Sequence, residues 1–110
     1  MTRPERALQI WQVLLGLAHN RQTITYKILT KTIGIGNVSI SLSQPLELIM
    51  NYCKENDFPP LTILVVQGTS GVPGRGLTTV QELNKDREKV YNYEWYKLKP
   101  LQVADLNNQN

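Results

Sequence analysis

This chain of 110 residues has few of the residue types from which small domains build disulfide frameworks and metal sites. It contains one cysteine (Cys53) and one histidine (His19), which excludes a disulfide framework and a metal site built from several cysteine or histidine ligands. No run of about 18 apolar residues occurs, and the charged start lacks the apolar core of a signal peptide. We therefore expect a soluble, cytoplasmic protein of bacterial or phage type.

The single cysteine and the single histidine do not form a recognisable catalytic set. Cys53 falls among the apolar positions of a predicted helix, so we expect a small buried hydrophobe rather than a reactive thiolate. His19 follows an apolar helical run and is expected to be a polar helix end. Because no Cys–His, Ser–His–Asp or paired-carboxylate pattern stands out, the sequence predicts a protein that is not an enzyme and needs no cofactor or metal.

The chain does have enough apolar content for one domain. It is 41% hydrophobic and 19% charged, which favours a single folded domain over residues 1–110, with a frayed tail over 105–110. The net charge of +3 is concentrated at one end, because residues 1–34 hold five basic residues and only one acidic residue. Such a basic face is typical of nucleic-acid binding and equally of a mildly basic surface.

The first third of the chain has clear helix signals. Thr2 and Glu5 have the spacing of a capping box, and apolar residues then recur at steps of three and four to about residue 18, which predicts a long amphipathic helix. Thr25 is a second candidate N-cap, for a short helix over residues 26–33. Gly34 suits the left-handed end of that helix.

The remaining elements are shorter. We expect a helical turn over residues 38–43, a helix opened by Pro45 and ending near residue 56, and a last helix over 86–96 capped by Asp86. The run LTILVV at 61–66 predicts a strand covered on both faces. The expected fold class is α/β in the α+β sense, mostly helical: a winged-helix-like single domain with a short sheet and a helix-turn-helix.

A glycine-rich stretch follows the predicted strand and contains Gly68, Gly71, Gly74 and Gly76. It lacks the Gly-Lys-Ser/Thr ending of a phosphate-binding loop, which argues against a nucleotide triphosphatase. A flexible surface loop and a functional loop that carries Arg75 both remain open.

Four aromatic residues lie close together near the end of the chain: Tyr91, Tyr93, Trp95 and Tyr96. Such a cluster can stack against nucleic-acid bases. Core packing with one amphipathic ring at the surface is the favoured interpretation.

The order of these segments resembles the DNA-binding domain of the alkylguanine-DNA alkyltransferases and the alkyltransferase-like proteins. The resemblance rests on TITYKIL at 23–29, IG at 33–34, PPLTILV at 59–65 and GRGL at 74–77, and it extends from about residue 10 to residue 77. It implies a long helix that leads into a winged helix-turn-helix, and a domain that binds DNA.

Two departures from the family pattern bear on function. After the strand, the family has a Pro-Cys-His-Arg motif, whereas this chain has VQG at 66–68. Without a thiolate and its base there is no alkyl transfer, but alkyltransferase-like proteins also lack the cysteine and still bind alkylated DNA. The expected recognition segment, residues 37–44, contains no arginine to insert into the base stack.

The basic residues therefore suit phosphates, and the polar residues suit the groove. Lys27 and Lys31 are four positions apart and share a helix face. The full set of expected nucleic-acid contacts is Arg21, Tyr26, Lys27, Lys31, Asn37, Ser39, Ser41, Gln44 and Arg75.

Two other functions stay open. A small inhibitor that binds a protein such as a toxin or nuclease (an immunity protein, an antitoxin or a phage counter-defence protein) is often this size and also lacks catalytic residues. An enzyme that uses the glycine loop as a substrate lid requires an acid–base pair formed on folding, for example by His19 and a distant carboxylate. Because fold does not determine function, the prediction of DNA binding rests partly on the resemblance.

Overall fold

The structure is a computed structural model that describes residues 1–34, 42–68 and 83–107. Within these ranges the chain forms five α-helices, two short β-strands and two 3₁₀ helices. In chain order they are α1 (Arg3–His19), β1 (Ile24–Thr25), α2 (Tyr26–Thr32), α3 (Ser43–Glu55), the 3₁₀ helix Leu61–Leu64, β2 (Val65–Val66), α4 (Leu83–Asn92), the 3₁₀ helix Trp95–Lys97 and α5 (Val103–Asn107).

The predicted first helix is confirmed, including its start. The Thr2 hydroxyl accepts a hydrogen bond from the backbone N–H of Glu5, and the Glu5 carboxylate accepts one from the backbone N–H of Thr2. These two bonds form a complete capping box. The apolar face of α1 packs against α3, α4, α5 and the 3₁₀ helix Leu61–Leu64. Its buried residues are Ala7, Ile10, Trp11, Leu14 and Ala18.

The predicted six-residue strand at 61–66 is wrong for its first four residues. These form the 3₁₀ helix Leu61–Leu64, and only Val65–Val66 is extended. All four side chains of the 3₁₀ helix are fully buried. A segment buried on every side has the continuous apolar composition of a central strand, even though its backbone here is helical. β2 pairs in parallel with β1, with Ile24 opposite Val65 and Thr25 opposite Val66.

The end of the chain also differs from the prediction. α4 begins at Leu83 and ends at Asn92, so Asp86 lies in its first turn and does not cap it. The tail predicted to be frayed is helical over Val103–Asn107, and Leu106 is fully buried because α5 packs on α1 and α3. Residues 108–110 lie outside the described residues.

An aromatic cluster joins the end of the chain to the core. The Trp95 ring lies 5.7 Å from Trp11, 6.1 Å from Phe58 and 4.6 Å from Tyr93, measured between ring centroids. Trp95 is buried, whereas 64% of Tyr96 is exposed. The prediction of core packing with one ring at the surface is confirmed.

The elements enclose one core, and the chain is mostly helical with a short parallel sheet, as the coarse fold class predicted. The radius of gyration is 13.0 Å, which matches the value of about 13 Å expected for a compact chain of this length. Among the described residues, no helix combines the length and the apolar character needed to cross a bilayer.

Candidate nucleic-acid interface

Helix α2 presents one exposed face. Its N-cap is Thr25, as predicted, and the Thr25 hydroxyl accepts a hydrogen bond from the backbone N–H of Ile28 at 3.2 Å. Leu29 and Thr30 are buried and hold the helix against the domain. The opposite face carries the exposed residues Lys27, Ile28, Lys31 and Thr32.

The end of α2 is attached to the first turns of α1. The Arg6 guanidinium donates a hydrogen bond to the backbone carbonyl of Ile33, the C-cap of α2, at 3.2 Å. Gly34 follows with a φ of 84°, the left-handed geometry predicted for this glycine. A positive charge at a helix C-terminus interacts favourably with the helix dipole. Helix α2 is therefore held along its buried face by Leu29 and Thr30, at its start by the Thr25 cap and at its end by Arg6.

Lys27 and Lys31 are the cations that α2 offers to a ligand. Both side chains are exposed, and α2 contains no acidic residue. In the described parts of the chain, no carboxylate lies within salt-bridge distance of either ammonium group. Four residues in a helix advance about 6 Å along its axis, so the two charges form a short positive stripe.

Arg21, the third predicted cation, is held differently. Its guanidinium forms an ion pair with Glu88 of α4 and lies over the Tyr91 ring, 4.9 Å from the centroid. The hydrogen bond to Glu88 raises the pKa of Arg21 above its ordinary value. This arginine connects the turn after α1 to α4, so its charge is already compensated within the domain.

The other predicted contacts fall into two groups. Tyr26 is partly buried against the core, Gln44 is exposed in the first turn of α3, and Gly68 is exposed after β2. A Cβ atom on Gly68 would lie 4.0 Å from the Thr25 side chain. The rest of the predicted set lies outside the described residues: Asn37, Ser39, Ser41, Gly71, Gly74, Arg75 and Gly76.

The cysteine has the environment of a core residue. Cys53 is 1% exposed, and burial raises the pKa of its thiol to about 11. A thiol with such a pKa is protonated at neutral pH and is a poor nucleophile. The prediction that Cys53 is a buried hydrophobe is confirmed.

The histidine has an aromatic neighbour. His19 is exposed at the end of α1 and packs edge-on against Tyr96, with 5.6 Å between the ring centroids. Within the described ranges, no group of three or more histidine, cysteine, aspartate or glutamate side chains is arranged to hold a metal ion.

Sequence reasoning missed the role of Arg6. Its contact with Ile33 spans 27 positions, and no local pattern indicates such a pairing. The only signal was a basic residue on the predicted flank of an amphipathic helix, which is usually exposed to solvent.

Comparison of the chain with known protein families, with curated proteins and with solved structures finds no match.

Proposed function

We propose that this chain is a non-catalytic DNA-binding domain that contacts duplex phosphates through the exposed face of α2. The observation that carries the proposal is the state of the early cations. Arg6 and Arg21 are used inside the domain, whereas Lys27 and Lys31 are exposed on one face without a described carboxylate partner. Exposed lysines without an internal carboxylate partner can neutralise phosphates and release the counterions bound to them.

The rest of the proposed binding mode follows the winged helix-turn-helix that the resemblance to the alkyltransferases implies. In that motif the first helix crosses the DNA backbone and the second helix enters the groove, which assigns the backbone to α2 and the groove to the start of α3. Gln44, exposed at the start of α3, then contacts a base edge or a phosphate, since an amide side chain both donates and accepts hydrogen bonds.

The proposal excludes alkyl transfer as the activity. Val66 ends β2 and is followed by Gln67 and Gly68, so no thiol occupies the place where the family has its nucleophile. Cys53 is buried and its thiol stays protonated at neutral pH. The domain then recognises or regulates DNA, with modified guanine as the first ligand to test.

The test is fluorescence anisotropy with short duplexes, with and without an O6-alkylguanine, titrated from low to physiological salt. The proposal expects binding that persists at physiological salt and favours one of the two duplexes. Binding that disappears at modest salt and does not distinguish the duplexes would show only non-specific electrostatic attraction to the basic face, and it would overturn the proposal.

One observation favours the alternative of a small inhibitor that binds a protein. Ile28 lies between the two lysines in sequence and is 54% exposed, and an exposed apolar residue contributes more to a protein interface than to a phosphate contact. Ile28→Ser separates the two functions. It leaves DNA affinity unchanged if α2 binds phosphates, and it weakens binding to a protein partner if α2 binds one.

A further inference from the structure

A pocket of about 360 Å³ opens between the end of α1 and the segment 91–97. Leu15 and His19 form its α1 side, and the other side includes four aromatic residues: Tyr91, Tyr93, Trp95 and Tyr96. Trp95 is the buried member of the set and Tyr96 the most exposed. The pocket wall thus combines aromatic rings with the polar side chains of Asn92, Glu94 and Lys97.

The pocket and α2 lie on opposite flanks of α1. Leu15 lines the pocket and Arg6 contacts α2. These two residues are nine positions apart, and at about 100° per residue this separation places them about 180° apart around the helix axis. A duplex seated on α2 therefore leaves the pocket free to bind a different ligand.

The polar groups in the pocket wall indicate the sign of that ligand's charge. The Glu94 carboxylate lines the pocket and pairs with the Lys97 ammonium at 3.0 Å. Both side chains are more than two-thirds exposed, and an exposed pair of this kind contributes at most about 1 kcal/mol. A ligand cation that binds Glu94 more strongly can therefore displace the Lys97 ammonium at little cost in free energy.

Tyr91, one of the aromatic residues that line the pocket, already holds a cation within the chain. The Arg21 guanidinium lies over the Tyr91 ring while it forms an ion pair with Glu88. The combination is a tyrosine face together with a carboxylate. Tyr96 and Glu94 both line the pocket, and no arginine of the described residues lines it with them.

We propose that this pocket binds the guanidinium group of an arginine presented by a partner protein. The tyrosine faces attract the cation, and Glu94 accepts hydrogen bonds from its planar N–H groups. A phosphate is disfavoured, because the Glu94 carboxylate repels it and already neutralises Lys97. A quaternary ammonium leaves the acceptors Glu94 and Asn92 unused, since it has no N–H to donate.

The test is a ¹H–¹⁵N NMR titration with Nα-acetyl-arginine methylamide as the probe. Blocked norleucine and thymidine monophosphate serve as apolar and anionic controls. The proposal expects shifts centred on residues 91–97 and His19, with a dissociation constant on the order of 1–10 mM, as suits a single side chain. The double variant K27A/K31A binds the probe as the wild type does, so the two proposals fail independently.

Matched variants separate a binding role from a structural one. Glu94→Gln weakens probe binding about fivefold, and Lys97→Gln strengthens it about threefold because a competitor is removed. Lys99→Gln makes the same charge change at an exposed lysine that does not line this pocket, and it changes binding less. Tyr96→Phe keeps the ring and the affinity, whereas Tyr96→Leu loses both.

The spectra of the same samples report whether each variant is folded. The proposal is overturned if the blocked arginine gives no shifts up to about 50 mM, because a site with a dissociation constant on the order of 1–10 mM is at least about four-fifths occupied at that concentration. It is also overturned if thymidine monophosphate binds more tightly, or if Lys97→Gln and Lys99→Gln have equal effects.

Discussion

The Arg6 guanidinium donates a hydrogen bond to the backbone carbonyl of Ile33 at 3.2 Å, and this contact ties the first turns of α1 to the last turn of α2. It also places a positive charge at the C-terminal end of the helix that carries Lys27 and Lys31. The support of the proposed DNA-binding face therefore depends on a residue that does not itself need to contact DNA.

Arg6→Met removes this contact while it keeps most of the aliphatic stem. We expect the free energy of unfolding to fall by about 1–2 kcal/mol, because a charge-assisted hydrogen bond to a helix end is lost. Urea denaturation measures the change. Arg3→Met is the matched control at an exposed arginine of the same helix, and equal losses for the two variants would contradict the role assigned to Arg6.

Trp95 anchors the last 3₁₀ helix through a side-chain hydrogen bond and a ring contact. Its indole N–H donates to the backbone carbonyl of Val90 at 2.8 Å, and the ring packs edge-on against Trp11. Trp95→Phe keeps an aromatic ring but leaves the carbonyl unpaired and the site underfilled, so we expect a loss of about 2 kcal/mol. Chemical denaturation tests this, and a loss below about 0.5 kcal/mol would contradict it.

Thr62 carries a hydroxyl for which the residues that the structure describes provide no hydrogen-bond partner. Its side chain is fully buried. Thr62→Val replaces the hydroxyl with a methyl group of similar size, so we expect stability to rise by about 1 kcal/mol. Thr62→Ser makes the opposite change, because it keeps the hydroxyl and removes the methyl group, and it should destabilise the domain. If thermal unfolding ranks the serine variant above the valine variant, this account of the site is wrong.

Cys53 gives the stability a dependence on alkaline pH. Its folded-state pKa of about 11 lies above the value of about 8.5 in an unfolded chain. Between these values the unfolded state has released the thiol proton and the folded state retains it, so stability falls as pH rises from about 8.5 to 11. Cys53→Ala removes the thiol and leaves every other ionisable side chain in place. The difference between the two stability curves therefore reports the thiol together with its effect on the neighbouring Tyr52, whose pKa is raised mainly by burial. Parallel stability curves for the two proteins across this range would refute the assignment.

How far the sequence predicts this structure depends on whether a signal is local. The cap at Thr25 and the left-handed Gly34 are set by neighbouring residues, and both are confirmed. The run at 61–66 misled the prediction because uniform burial removes the periodicity that distinguishes a strand from a 3₁₀ helix. Leu106 is buried only because α5 reaches α1, a contact that no short window of sequence contains.

The same distinction applies to the candidate site. The shared face of Lys27 and Lys31 follows from their spacing, and the structure places both at the surface. That Arg21 is held by Glu88, 67 positions away, cannot be read from charge alone. The pocket beside Tyr96 likewise brings α1 together with the end of the chain, so its aromatic residues were visible in the sequence but its shape was not.

The salt dependence of DNA binding tests the central claim most directly. If Lys27 and Lys31 each neutralise one phosphate, K27A/K31A reduces the slope of log K against log salt by about 1.8 for duplex DNA. K85A/K89A is the matched control, since it removes two exposed lysines, also four positions apart, from α4. We predict the smaller slope for the α2 pair and an unchanged slope for the α4 pair. The assignment of α2 as the DNA-binding face would be contradicted if both double variants reduced the slope equally, or if both kept the slope of the wild-type protein.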